Sequence, residues 1–226
     1  MEYDKYEVYN KDGNLHNENG PAKICYYENG SIKSEQYYIN GKIHRENGPA
    51  IIYYYENGNK SYEEYYVDGK MYRENGPTEI FYYENGSIRS QWYHVNAEPH
   101  NENGPAIIRY YKNKNKGCEE YYINGKLHRE NGPAKIYYYK NGLIKRKEYY
   151  VNGKNHRIDG PAVIYYYKNG LKELEFWYNY GVLHSENGPA KIHYEEDGTI
   201  INKKYYINGN SMNELQIEVL KSLKNK

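Results

Sequence analysis

One spacing constrains this chain more than any other feature. A Gly-Pro pair falls at 20–21, 48–49, 76–77, 104–105, 132–133, 160–161 and 188–189, always 28 residues apart, with no insertion or deletion. A fixed period in this range is the signature of a repeat architecture, in which each unit is one supersecondary element that buries its apolar face only against its neighbours. Length alone would suggest one or two globular domains; the period predicts a single array instead.

The second repeat, Gly48 to Asn75, shows the logic. Pro49 lacks an N–H and marks the start of a strand. Ala50, Ile52 and Tyr54 alternate and share one face. Asn57-Gly58 predicts a tight turn, since both residues tolerate positive φ. A second strand ends in Tyr65-Tyr66-Val67, closed by Asp68-Gly69. The polar residues that follow make a connecting loop, His44-Arg45-Glu46-Asn47 in the preceding copy. Each repeat thus reads as two short antiparallel strands and one polar loop. Since a lone hairpin is marginal in water, the repeats must stack. Two strands per repeat advance the array roughly 9–10 Å, giving a twisted rod on the order of 65–70 Å. The position after the small residue and its neighbour holds isoleucine in every copy: Ile24, Ile52, Ile80, Ile108, Ile136, Ile164 and Ile192. These are the expected structural core.

Composition completes the fold argument. Mean hydropathy is −1.15, yet 31 basic and 30 acidic residues nearly cancel, which is not the charge imbalance of a disordered chain. The 34 tyrosines supply the missing apolar area, each ring burying about 150–250 Å² while its hydroxyl stays wet. Residues 1–19 read as the back half of a repeat, and 20–209 as seven repeats. In 210–226, Ser211-Met212-Asn213-Glu214 resembles a capping box. Met212, Leu215, Val219 and Leu223 keep helical spacing with Leu220 alongside, and Lys221, Lys224 and Lys226 suit a helix C-terminus. A short capping helix is expected over the last hairpin. The expected fold is all-β: an elongated, twisted antiparallel sheet of tandem β-hairpins with a C-terminal helical cap.

Several function classes are disfavoured. A formal net charge of +1 argues against a broad polyanion-binding field, and so against nucleic acid. There is no apolar run long enough for a transmembrane helix. Met1-Glu2-Tyr3-Asp4-Lys5 is unlike a signal peptide. Cys25 and Cys118 occupy different positions in repeats one and four, so no disulfide is expected and a reducing, cytoplasmic compartment fits. No Gly-x-Ser-x-Gly, phosphate loop, Cys-x-x-Cys or His-Glu-x-x-His pattern is present. The paired carboxylates Glu63-Glu64, Glu119-Glu120 and Glu195-Glu196 are sequence neighbours, which on a strand point to opposite faces and make a poor catalytic pair. No enzyme activity and no cofactor are expected.

The candidate binding residues lie in the loops and the irregular copies. His16, His44, His100, His128, His156 and His184 repeat at one position, with Tyr72 interrupting the series, and lie too far apart to share a metal ion; no metal site is expected. Arg45, Arg73, Arg129 and Arg157 follow them, with Asn17, Asn101 and Ser185 in the other loops. The next position is Glu in six loops, an Arg-Glu surface network in which each exposed pair is worth little. The alternative is a row of cations spaced to grip an anionic ligand. Repeat three carries Trp92, His94 and Asn96-Ala97. Repeat four loses its first Asn-Gly, and repeat six carries Phe176-Trp177-Tyr178 and Asn179-Tyr180-Gly181. Drift at tolerant loops explains these departures; alternatively they mark a bend or a partner site anchored on Trp92 and Trp177.

Tyr54-Tyr55-Glu56-Asn57-Gly58 followed by Tyr65-Tyr66-Val67-Asp68-Gly69-Lys70 resembles MORN-repeat variants, tandem β-hairpins built on aromatic-x-x-Gly patterns. The His-Arg-Glu-Asn-Gly-Pro-Ala form is similar to the divergent type found in bacterial antitoxin-like, phage and giant-virus repeat proteins. The resemblance covers roughly residues 3–209 and departs from the familiar unit in its length of 28 residues and its Gly-Pro-Ala start. It implies an elongated sheet used for scaffolding, dimerisation or binding, lipid headgroups included, in the cytoplasm, or the host cytoplasm for a viral protein. Two functions are therefore carried forward. One is a non-enzymatic scaffold binding another protein or a second copy of itself. The other is a neutralising module that captures an anionic molecule or lipid headgroup through His44, Arg45, Arg73, His128, Arg129, His156, Arg157 and neighbouring tyrosines.

Overall fold

The structure, a computed structural model, describes residues 5–224. The chain divides into two compact halves, Met1–Lys114 and Asn115–Lys226. In the first, the long strands are Lys5–Glu7, Lys23–Tyr26, Ile32–Gln36, Ile51–Tyr54, Lys60–Glu64, Glu79–Tyr82, Ile88–Trp92 and Ile107–Tyr110. They are hydrogen-bonded in chain order, and every pair is antiparallel. In the second half, Lys116–Glu120, Lys135–Tyr138, Ile144–Glu148, Val163–Tyr166, Lys172–Phe176, Lys191–Tyr194, Ile200–Ile207 and Asn210–Met212 follow the same rule. The expected all-β antiparallel sheet of tandem hairpins is what forms.

Each repeat contains more than the two strands expected. The second strand stops at Glu64, and Tyr66–Val67 pairs instead with Lys70–Met71 in a separate two-residue hairpin. The two Asn/Asp-Gly turns also differ in kind. In the first, Gly58 has φ 83° while Asn57 does not enter positive φ, and a register shift between Tyr53 and Tyr54 adds a bulge. Asn57 instead accepts the Asn59 N–H on its side-chain oxygen. In the second, Asp68 and Gly69 both have positive φ, 50° and 75°. Only the second has the backbone that closes a two-residue hairpin.

The core is thinner than the isoleucine pattern suggests. Ala22, Ala50, Ala106, Ala134, Ala162 and Ala190 are completely buried. Ile52, Ile80, Ile136 and Ile164 are buried as expected, whereas Ile24, Ile108 and Ile192 are half-buried. Tyrosine stitches one repeat to the next. Tyr27, Tyr55, Tyr83, Tyr139 and Tyr167 donate their hydroxyls to carbonyls 27 residues on. A second set, Tyr54, Tyr82, Tyr138 and Tyr194, donates to Glu35, Glu63, Glu119 and Glu175, 19 residues back. Three of these carboxylates are at most 6 % exposed. Lys60 and Lys116 reach Glu63 and Glu119 at 2.5 and 2.6 Å, so those charges are buried with partners.

The carboxylate pairs are thus divided between the two faces. Glu63 takes Tyr82 while Glu64 takes Tyr66, and Glu119 takes Tyr138 while Glu120 takes Tyr122. Glu195-Glu196 lies past the end of its strand, in a turn.

The C-terminal helix spans Glu214–Lys224, but its cap and inward face differ from expectation. The reciprocal cap is formed by Asn213 and Gln216, each backbone N–H bonding the other's side-chain oxygen at 2.9 Å. Ser211 and Met212 belong to the last strand. Among the described helix side chains Ile217 is the buried one, at 2 % exposed, while Leu215 and Val219 are 69 % and 50 % exposed. Tyr205 donates to Glu214 and ties the first turn to the sheet, which sets the rotation. The side chains of Leu220, Lys221, Leu223 and Lys224, together with Lys226 and residues 1–4, lie outside the described ones.

Candidate functional site: the loops before each Gly-Pro

Each loop enters from the small hairpin and leaves into Gly-Pro. The histidines act as clasps between repeats. Nδ1 of His16, His128, His156 and His184 accepts the backbone N–H of Asn40, Asn152, Tyr180 and Asn208 at 3.1–3.4 Å, and Nδ1 of His44 lies 3.1 Å from the Asp68 N and 3.0 Å from its Oδ1. These donors are the positive-φ residues that open the next small turn. A ring accepting at Nδ1 carries its proton on Nε2, and in His16, His100 and His184 that nitrogen lies 3.7 Å from a loop glutamate. Among the described residues, no three His, Cys, Asp or Glu side chains converge as metal ligands.

The arginines act as staples. Nη1 of Arg45, Arg73, Arg129 and Arg157 donates to the carbonyls of Pro49, Pro77, Pro133 and Pro161 at 3.1–3.4 Å. Their guanidiniums lie 3.8–4.2 Å from the ring centroids of Tyr37, Tyr65, Tyr121 and Tyr149, within cation–π range. The glycine of Gly-Pro makes room: at Gly76, φ is 138° and a Cβ would come within 2.9 Å of Arg73 Cζ. Asn17 and Asn101 reproduce the staple on a shorter arm, donating to Pro21 and Pro105 at 3.0 and 3.1 Å. What looked in sequence like an Arg-to-Asn departure is therefore one structural role filled by two side chains. Among the described residues, Ser185 makes no such bond.

Between successive loops the structure leaves clefts. One, of about 510 Å³, is lined by residues 17–21, Tyr37, Ile39 and His44 to Asn47. Another, of about 320 Å³, is lined by His156 to Ile158, Trp177 to Asn179 and His184 to Asn187. The second is the first displaced by five repeats. Of the candidates, His44 and Arg45 line the first cleft, and His156, Arg157 and Trp177 line the second.

Trp92 sits differently. Its Nε1 donates to Ser90 at 3.2 Å, and its ring continues a run of aromatics across the strands from Tyr53 through Tyr62 and Phe81. It is half-buried in the sheet rather than displayed in a loop cleft. Beside it, His94 stacks on the indole, takes Thr78 Oγ1 at 2.9 Å and lies 3.5 Å from Glu79. Burial lowers the His94 pKa, while Glu79 and Glu64 oppose that shift. Thr78 and His94 are a matched pair of departures: the other repeats carry alanine and tyrosine at these two positions. Thr78→Ala and His94→Tyr should each cost about 1 kcal/mol. Made together, they should cost less than the sum by about 1 kcal/mol. Urea unfolding of the four-member cycle checks this; strict additivity would refute the pairing.

No family model and no curated protein matches this chain. A solved structure of alternansucrase in complex with isomaltononaose is similar at 17 % identity over 88 % of this chain and 16 % of that one, with a TM-score of 0.18. The chain spans about a sixth of that protein's length, and a likeness at this level carries no argument about fold or activity.

Proposed function

We propose that the chain is a non-enzymatic scaffold that binds other proteins through its row of loop clefts, in the manner of a divergent MORN-like repeat protein of the cytoplasm. The observation that carries this reading is the separation of frame from rim. Histidine clasps and arginine or asparagine staples tie each of these loops to the frame by at least one bond. The residue that follows the staple position at the cleft mouth can then vary, as at Ile158. Binding residues are found disproportionately on loops held by a rigid scaffold.

The alternative, capture of an anionic small molecule or lipid headgroup by the arginine row, has less support. Four guanidiniums already lie on tyrosine rings and donate to prolyl carbonyls. Recruiting them would cost the loops their staples. Simultaneous replacement of Arg45, Arg73, Arg129 and Arg157 is for the same reason a test of stability before it is a test of binding.

A photo-crosslinking residue at Glu46 or Glu130, in the loops, and at Asn57 or Asn141, in turns at the far ends of the strands, tests the reading in the native cell. Discrete protein adducts should arise from the loop positions and not from the turns. Adducts confined to lipid or nucleic acid, or no loop adduct at all, would overturn it.

A further inference from the structure

Repeat six departs from the pattern at one place in space rather than at scattered sites. Trp177 stands where four repeats place the tyrosine beneath the arginine staple. Ser185 stands where those repeats place the arginine itself. A Cβ added at Gly188 would meet nothing within 4 Å, so the space a guanidinium fills beside Gly48, Gly76, Gly132 and Gly160 is open here. Among the described residues, no side chain donates to the Pro189 carbonyl. On the adjacent loop, Ile158 replaces the glutamate found in the six other copies and is 86 % exposed, and Asp159 replaces asparagine. Tyr180 takes the asparagine or aspartate position of the small turn, holds φ 46° and stacks on His156 at 3.9 Å. An aromatic residue at that φ is strained.

We propose that this cleft is a docking site for an arginine side chain of a partner protein, which supplies in trans the guanidinium that the other repeats supply from their own chain. This rests on the scaffold reading above and names the chemistry of one site within it. The precedent is internal: the same frame holds a guanidinium on an aromatic ring in four other repeats. Here the ring is enlarged to tryptophan, the best cation–π partner among the aromatics. The cleft of about 320 Å³ borders this open space through Trp177 and Ser185 and is at the small end of ligand pockets. The charge is complementary. Glu186 lines the cleft, 3.7 Å from His184, and Asp159 is exposed beside it, while Arg157, which also lines the cleft, has its guanidinium already held on Tyr149 and the Pro161 carbonyl. Ile158 offers apolar contact to the methylene stem of the incoming arginine.

The test uses the full chain carrying Trp92→Phe, which leaves Trp177 as the only tryptophan. It is panned against a random displayed library of short peptides. Recovered peptides should be enriched in arginine and should change Trp177 fluorescence on binding. Replacing the arginine of the best peptide by citrulline, which keeps the shape and removes the charge, should weaken binding at least tenfold. Ser185→Arg should weaken it at least tenfold too, because the chain then fills its own site. That variant carries the residue four other repeats have at this position. It should fold and raise the thermal midpoint by about 2–4 °C, so lost binding cannot be put down to unfolding. No recovered binder, binders without arginine, or unchanged binding to Ser185→Arg would each overturn the proposal. Loop crosslinks that persist in Ser185→Arg would leave the scaffold reading standing while the arginine site fell.

Discussion

Above pH 10 the protein should lose stability steeply, and unfold before its tyrosines have finished titrating. Burial, reinforced by a hydrogen bond to a carboxylate, raises the phenol pKa of Tyr54, Tyr66, Tyr82, Tyr138 and Tyr194. Tyr62 is raised by burial and by its bond to Glu79. Tyr150 is pushed up to about 12 by burial and the nearby Glu148 charge. In the unfolded chain these phenols ionise near the ordinary value of about 10. A group whose folded pKa is raised contributes stability that is fully present below the unfolded value and lost as pH climbs towards the folded one. Each phenol withdraws at most about 1.4 kcal/mol per pH unit in that window, less for the half-exposed rings. Several act together, so the sum overtakes the stability of an ordinary domain within one or two units. The measurement pairs phenolate absorbance with β-type circular dichroism through an alkaline titration. Urea midpoints should be flat to pH 9 and fall sharply beyond 10. Tyrosines that titrate as one smooth class near pH 10 with unchanged dichroism would contradict the account.

Glu63→Ala should be among the most damaging single substitutions, at about 3 kcal/mol. Glu63 is 4 % exposed and takes both Tyr82 and Lys60. Hydrogen bonds to a charged group are worth about 1.5–3 kcal/mol each, and cutting one partner leaves the other unsatisfied in a part-buried site. Lys60, nearly half-exposed, recovers some of its loss in water; Tyr82 does not. Tyr82→Phe alone should cost about 1.5 kcal/mol, and the pair should cost about 1.5 kcal/mol less than the sum. Denaturant unfolding of the four-member cycle reads this directly. A Glu63→Ala cost below about 1 kcal/mol would mean that the tyrosine–glutamate ladder is incidental to the fold.

The frame was legible in the sequence to a useful depth. The 28-residue period, the Gly-Pro strand starts and the Asn/Asp-Gly turns place most of the long strands correctly, because backbone geometry is written locally. Side-chain partnerships were not legible, since they reach across the period. The tyrosine–carboxylate bonds span 19 residues, the histidine clasps 24 and the tyrosine–carbonyl bonds 27. A periodic sequence shows that such positions repeat without showing which meets which. The expected Arg-Glu surface network, and its alternative of a row of displayed cations, both give way to arginines that are each folded onto their own loop. Glu63-Glu64 and Glu119-Glu120, poor as catalytic pairs, prove to be anchors for tyrosine hydroxyls, whereas Glu195-Glu196 lies in an exposed turn. The C-terminal helix was legible as a helix, but its inward face was not: Ile217 is buried where Leu215 and Val219 were expected, with Tyr205 bonded to Glu214 in the first turn. One signal could have revealed the cleft of repeat six: the joint change of tyrosine to tryptophan and arginine to serine, eight residues apart, at two positions paired in four other copies.

The reach of those bonds has a consequence for how such a chain can change. The histidine clasps and the tyrosine bonds of 19 and 27 residues join one repeat to the equivalent frame of the next, so cutting and rejoining the gene at equivalent points removes or adds a whole repeat and leaves the same bonds at the seam. Recombination can then shuffle cleft mouths like beads on a string, exchanging one recognition surface for another at no cost to the thread.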